Sequence, residues 1–152
     1  MSDPDPDQIL QAAGTVVLVD WPSRDVPDAF TRAGYTVYVK GGPGPDSYSA
    51  YELRDGDIVA RSVGGPPGHA DLVYCHRPAV ELPQIVAIAR QVGAAAVWHQ
   101  SGLSAAGARD PRGCWMPADA SLQARAAVEA AGLAYVEAPY IADAVRRLGI
   151  QR

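Results

Sequence analysis

Short apolar runs alternate along the chain with stretches whose apolar positions repeat at helical spacing. The runs are rich in β-branched residues and apolar almost throughout, as is typical of parallel strands covered on both faces. They predict five strands: Thr15 to Val19, Tyr35 to Val39, Asp71 to Cys75, Ala95 to Trp98 and Leu133 to Val136. The intervening stretches predict helices, several of which end at a glycine: "DPDQILQAAG", "DVPDAFTRAG", "LPQIVAIARQVG", "ASLQARAAVEAAG" and "YIADAVRRLG".

This alternation with short links predicts right-handed βαβ crossovers and an α/β fold, a Rossmann-like three-layer sandwich with about five mostly parallel strands. We expect the strand order 3-2-1-4-5, which places the reversal between the first and fourth strands. Ligands of such sheets bind outside the carboxyl ends of the strands at this reversal. The candidate site therefore includes "DWPSRD", Asp20 to Asp25, and "HQSG", His99 to Gly102.

Two segments depart from the regular alternation. Gly41 to Gly68 is rich in glycine and proline and carries weak strand pairs around the turn signal Asp55-Gly56. A loop at 104–120 precedes the fourth predicted helix, and loops of that length are more often functional than idle. We interpret 1–152 as one domain, with a leading helix in 1–14 and an inserted loop at 104–120.

Composition narrows the classes of function. The net charge of −4 provides no electrostatic footprint for nucleic acid or anionic membranes. No apolar run has the length of a membrane span, and the acidic start "MSDPDPDQIL" is unlike a signal peptide, so we expect a cytoplasmic protein. Cys75 and Cys114 form neither a disulfide framework nor a C-x-x-C motif, and we expect no metal.

The polar residues at strand ends are the candidates for chemistry. His99 and Ser101 lack the G-x-S-x-G context of a nucleophile and an evident acidic partner, so a partly exposed, non-catalytic His99 is the preferred interpretation. In the expected order, the strands before His76 and His99 lie three positions apart, roughly 14 Å, which is too far for one metal ion. Lys40 fits either a solvated strand end or a phosphate contact. Gln100 fits a bond to a ligand or to neighbouring main chain.

The segment "DLVYCHRPAVELPQIVAIARQVGAAAVWHQSGL" resembles the CoA-binding domain family. These are small stand-alone Rossmann-like proteins related to the N-terminal domain of succinyl-CoA synthetase α subunits. The family pattern runs D-[LV]-V-x-[VI]-F-R-x-P-E-x-[VA]-P-E-I-V and then [IV]-G-A-K-x-[VI]-W-x-Q-x-G. The chain matches it without a gap at these positions: Asp71, Val73, Arg77, Pro83, Ile85, Val86, Gly93, Ala94, Val97, Trp98, Gln100 and Gly102.

The resemblance implies a site for CoA, acyl-CoA or another adenine nucleotide at the strand ends. Carried over by position, that site comprises the first loop and the ends of later strands: Trp21, Ser23, Lys40, Arg77, Gln100 and Gly102. The first loop departs from the family's V-G-x-S-x-x-P, because Asp20 and Trp21 occupy the place where glycine lets main chain approach a pyrophosphate.

Three hypotheses follow for the function. The first is a small binding protein with no catalytic machinery and a nucleotide-type ligand. The second is a family member whose cleft is closed by Trp21 and which acts through protein contacts or as a homodimer; the loop Arg109 to Met116, with Arg112, Cys114 and Trp115, would be a lid or an association surface. The third is an enzyme that uses His99, Ser101 or Asp20 on a small substrate.

Overall fold

The computed structural model describes residues 5–41, 47–100 and 118–151, and these residues form an α/β fold. Five helices are present in this part of the chain: α1 (Pro6–Ala12), α2 (Asp25–Arg32), α3 (Leu82–Val92), α4 (Ala118–Ala130) and α5 (Ile141–Leu148). It has seven strands: β1 (Thr15–Val19), β2 (Thr36–Lys40), β3 (Tyr48–Arg54), β4 (Asp57–Gly64), β5 (Leu72–Cys75), β6 (Ala96–His99) and β7 (Ala134–Val136). A 3-10 turn, Ala79–Glu81, leads into α3.

The seven strands form one sheet in the order β4-β3-β2-β1-β5-β6-β7. β2, β1, β5, β6 and β7 are parallel, and β3 and β4 pair antiparallel at the β2 edge. The fold class is confirmed, but the expected count and order of strands are wrong. β1 pairs with β5, the third of the five predicted strands, with Val17 opposite Val73, so the reversal lies between the first and third predicted strands.

The two additional strands come from the segment around Asp55-Gly56. Asp55 and Gly56 have φ values of 52° and 84° and connect β3 to β4 as a two-residue hairpin turn. Such a turn needs positive φ at both central residues, which aspartate tolerates and glycine adopts without strain. The weak strand signals of this segment therefore form a complete hairpin, because they pair with β2 as well as with each other.

Two apolar clusters, one on each face of the sheet, form the core. Alternate residues of the strands contribute to opposite clusters: Val16, Leu18 and Trp98 to one, Val17, Val73 and Val97 to the other. α1, α2 and α5 cover the first face, while α3 and α4 cover the second. This is the three-layer arrangement that the apolar strands predict. Successive residues at a strand end consequently point to different layers.

Local signals explain the ends of the helices. The Asp5 side chain accepts a hydrogen bond from the Asp7 N–H at the start of α1, as N-cap residues do. α3 ends at Gly93, whose φ of 72° lies in the left-handed region that glycine adopts freely. Among the described residues, no helix is long and apolar enough to cross a membrane.

Candidate functional site

A cleft of about 850 Å³ opens at the carboxyl ends of β1 and β2, beside the loop after β5 and the first turns of α3. Val19 and Ile85 contribute to its lining from the face of the sheet that α3 and α4 cover, and Trp21 and Val39 contribute from the opposite face. Both charged and apolar side chains line the cleft: Val19, Asp20, Trp21, Val39, Lys40, Gly41, Arg77, Glu81, Gln84, Ile85, Ala87 and Ile88. Volumes of roughly 300–1,000 Å³ are usual for small-molecule sites.

The loop after β1 begins with an unusual backbone conformation. Asp20 has a φ of 64°, in the left-handed region, and its Oδ1 accepts a hydrogen bond from the Trp21 N–H at 2.9 Å. The Trp21 ring lies edge-on to Tyr51 of β3, with the ring centroids 6.2 Å apart. Trp21 thus forms a wall of the cleft by packing against the hairpin, and within the described residues it leaves the cleft open.

Arg77 is held between two carboxylates at the cleft. Its Nη1 donates to Asp20 Oδ2 at 3.0 Å, and its Nη2 donates to Glu81 Oε2 at 2.6 Å. Its Nε lies 3.2 and 3.1 Å from the two oxygens of Glu81. Glu81 and then Asp20 raise the pKa of Arg77 above its ordinary value, so the guanidinium stays charged. We call this arrangement of Asp20 and Glu81 around the guanidinium the clamp. It fixes the orientation of the Arg77 side chain and balances its positive charge.

Lys40 is the second cation of the cleft and lies at the end of β2. Its Nζ sits 5.8 Å from the centroid of the Tyr48 ring. Because β2 runs parallel to β1, Lys40 and Asp20 both lie at the same end of the sheet. The four charged residues of the cleft, Asp20, Lys40, Arg77 and Glu81, have formal charges that cancel.

Gln100 and Ser23 lie away from the cleft lining. Gln100 is 1% exposed, its Nε2 donates to the Glu137 and Pro139 carbonyls, and its Oε1 accepts from the Ile141 N–H at 3.1 Å. Ser23 Oγ lies 3.4 Å from Tyr140 Oη, beside the start of α5. The structure therefore brings Trp21, Lys40 and Arg77 together and places Gln100 and Ser23 at the start of α5.

The position of His99 corrects two expectations from the sequence. The side chain is 1% exposed, so the expected partial exposure is wrong. β5 and β6 are adjacent, with Cys75 opposite His99, so the spacing of about 14 Å expected between the strands before His76 and His99 is wrong. Burial lowers the pKa of His99, and burial likewise lowers that of His76. In the described ranges, no group of three or more His, Cys, Asp or Glu side chains could hold a metal ion.

Several candidates from the sequence lie outside the described residues. These are Gly102, Ser101 and nearly all of the inserted loop at 104–120, including Arg109, Arg112, Cys114, Trp115 and Met116. Glu81 is a cleft residue that the sequence reasoning missed. Its spacing of four residues after Arg77 was the available signal, since such spacing favours an ion pair in helical turns.

Comparison with known proteins identifies the family of this chain. A profile of the family described as "CoA binding domain" matches residues 12–142. The chain belongs to the CoA-binding domain family. Searches of curated proteins and of solved structures gave no match. The profile match confirms the family that the segment from Asp71 to Gly102 indicates, and it spans both walls of the cleft.

Proposed function

We propose that this member of the CoA-binding domain family binds CoA, acyl-CoA or another adenine nucleotide in the cleft, without catalysing a reaction. The observation that carries the proposal is that Lys40 and Arg77 both line one cleft of about 850 Å³ at the carboxyl ends of β1 and β2. Trp21, Lys40 and Arg77 form its binding residues. The family match supports CoA-type nucleotides as the ligand class. The lining of the cleft supports the cleft as the place where they bind.

The size and chemistry of the cleft fit such a ligand in part. The Lys40 ammonium and the forked Arg77 guanidinium suit phosphate oxygens. The apolar wall formed by Val19, Trp21 and Ile85 suits an adenine ring or a pantetheine arm. Asp20 and Glu81 oppose the phosphates, because each already occupies part of the Arg77 guanidinium. A phosphate therefore binds by competing with these carboxylates, which lowers its affinity.

Isothermal titration calorimetry and thermal shift with CoA, acetyl-CoA, ATP, NAD and NADP test the proposal. We expect a response to at least one of these nucleotides, and binding at least about tenfold weaker in Arg77→Gln, since a charge-assisted bond contributes roughly 1.5–3 kcal/mol. The matched control is Arg90→Gln, which removes an exposed arginine from the other end of α3. The absence of any response from the wild type would refute the proposal.

The clamp on Arg77 favours a second candidate function. The guanidinium is already hydrogen-bonded to Asp20 and Glu81, so Arg77 can have a purely structural role that needs no ligand. In that case the protein acts through protein contacts, for instance as a homodimer. Light scattering across a concentration series separates the two: a monomer at every concentration with nucleotide binding intact contradicts the second candidate.

A further inference from the structure

Each ring nitrogen of His99 lies within hydrogen-bonding distance of an oxygen atom, although the side chain is 1% exposed. Nε2 lies 2.7 Å from the Arg77 carbonyl oxygen, and Nδ1 lies 2.9 Å from Tyr135 Oη. A carbonyl oxygen only accepts hydrogen bonds, so Nε2 carries a proton. The buried imidazole therefore links β6 and β7 to the main chain at the edge of the cleft.

The hydrogen bonds continue beyond His99 to α4. Tyr135 has a single phenol proton and donates it to Glu137 Oε1 at 2.8 Å, so it donates none to Nδ1 of His99. The Ser121 hydroxyl of α4 donates to the same Glu137 oxygen. Burial, together with the charge of Glu137, raises the pKa of Tyr135, so the phenol keeps its proton. Arg125 covers the Tyr135 ring, with its guanidinium carbon 5.3 Å from the ring centroid. Tyr135, which contacts the imidazole, is thus held by Glu137 and by Arg125 of α4.

The peptide unit between Arg77 and Pro78 depends on this imidazole. Proline has no N–H, so the Arg77 carbonyl is the one hydrogen-bonding group of that unit. The flanking main chain is anchored elsewhere, by the His76 N–H to the Val19 carbonyl at 3.2 Å and the Glu81 N–H to the Pro78 carbonyl at 2.9 Å. His99 supplies the hydrogen bond at the residue whose side chain reaches into the cleft.

We propose that His99 is a positioning residue, which fixes the main chain at Arg77 and thereby directs the guanidinium into the cleft. This inference rests on the proposed function, because it takes Arg77 as the group that meets a phosphate. His99 itself does not line the cleft and touches no ligand. It acts through the carbonyl of Arg77, and its own position comes from Tyr135 and the carboxylate of Glu137.

Three substitutions separate positioning from general packing. Glutamine places an amide N–H near the position of histidine Nε2, asparagine places one near Nδ1, and phenylalanine keeps volume but donates no hydrogen bond. We expect CoA binding to weaken about fivefold or more in His99→Phe and His99→Asn, the effect of losing one buried hydrogen bond. His99→Gln should stay within about threefold of the wild type. The control is His69→Phe, at an exposed histidine before β5.

A second readout does not need a ligand. The Nε–H signal of Arg77 in nitrogen-15 NMR reports the guanidinium held against Glu81. We expect that signal to persist in the wild type and in His99→Gln, and to shift or exchange rapidly in His99→Phe. Urea denaturation of each variant measures its free energy of unfolding, and only variants that are folded without urea are compared.

The two readouts distinguish the possible failures. If the wild type binds no nucleotide, the proposed function fails, and the Arg77 signal still decides whether His99 positions that side chain. An unchanged Arg77 signal in His99→Phe overturns the inference, as does glutamine behaving like phenylalanine in both measurements. A variant series in which only unfolding free energy changes would show His99 to be a packing residue, and this outcome also overturns the inference.

Discussion

Removing the carboxylate of Asp20 should tighten the binding of CoA. Asp20 lies in the left-handed region at the position where the family has glycine, and its Oδ2 is 3.0 Å from Arg77 Nη1. Asp20→Asn removes the charge and keeps a residue that tolerates positive φ. Asp20→Gly removes both the charge and the side chain. The pair therefore separates the electrostatic effect of Asp20 from the space it occupies.

The magnitude follows from the geometry of the clamp. A phosphate that contacts the same guanidinium comes within about 6 Å of the Asp20 carboxylate. The side chain is 48% exposed, so an effective dielectric constant near that of water applies. At that distance two unit charges repel by about 0.7 kcal/mol, which corresponds to roughly threefold in Kd.

The assay is calorimetric titration of CoA at low and at moderate salt. We expect Asp20→Asn to bind about threefold more tightly, with the gain shrinking as salt rises, because screening acts over about 8 Å at physiological ionic strength. Asp28→Asn is the matched control, since Asp28 is also an exposed carboxylate paired with an arginine. If Asp20→Asn binds no more tightly than the wild type at low salt, the electrostatic reasoning is refuted.

The backbone conformation of Asp20 gives a separate expectation for stability. An alanine at this φ pays a steric cost of roughly 1 kcal/mol, and it also loses the ion pair with Arg77. Glycine loses the same ion pair, which contributes about 0–1 kcal/mol at the surface, but relieves the backbone. Urea denaturation should therefore rank Asp20→Gly as more stable than Asp20→Ala, and the reverse order would contradict a strained loop.

Three further predictions concern residues outside the cleft. Gln100→Leu should lower the unfolding free energy by about 2–3 kcal/mol in urea titrations, because it leaves buried main-chain groups unpaired, while the Kd for CoA stays within about twofold. Gly56→Ala should cost about 1 kcal/mol in the same assay, from backbone strain alone, since the space around it is open. Burial alone would raise the pKa of Asp71, but the N–H groups of Thr15 and Gly14, with the neighbouring histidine, lower it. A carboxyl whose pKa is lower in the folded state stabilises the fold above about pH 4 and loses that effect as the pH falls through its folded pKa. The advantage of wild type over Asp71→Asn should therefore be full at pH 6 and shrink toward pH 3, and a constant difference would contradict this.

Much of the fold was predictable because its signals are local. The apolar runs predict the five parallel strands to within a residue or two at their ends, and the first of them, Thr15–Val19, without error. The order of strands was not predictable in this way. Whether β1 pairs with the strand ending at Cys75 or with the strand ending at His99 depends on how the crossover helices pack on the sheet. A pattern of hydrophobic residues within each segment does not contain that information.

The residues of the candidate site were likewise predictable where their signals are local, and not where they depend on packing. Arg77 was predictable from the family pattern, and its partner Glu81 was readable from spacing. For Gln100 the sequence left two roles open, a bond to a ligand and a bond to neighbouring main chain. The choice depends on which face of the sheet its side chain takes just after the end of β6. His99 points to the face with α3 and α4, while Gln100 points toward α5. Neither residue is among those that line the cleft, and this depends on the three-dimensional packing of the sheet and helices.

The β3–β4 hairpin has a consequence for the rate of folding. β2 and β5 both flank β1, and the chain between them must close as a loop before the centre of the sheet forms. Tyr48 and Gly64 lie opposite each other at the base of the hairpin, so forming it first removes about half of that loop. Halving a loop saves about 0.6 kcal/mol of closure entropy, and hairpins form within about 1–10 μs. The hairpin segment, which departs from the alternation of strands and helices, is thus expected to speed folding, and weakening its Asp55-Gly56 turn should slow the assembly of the parallel strands.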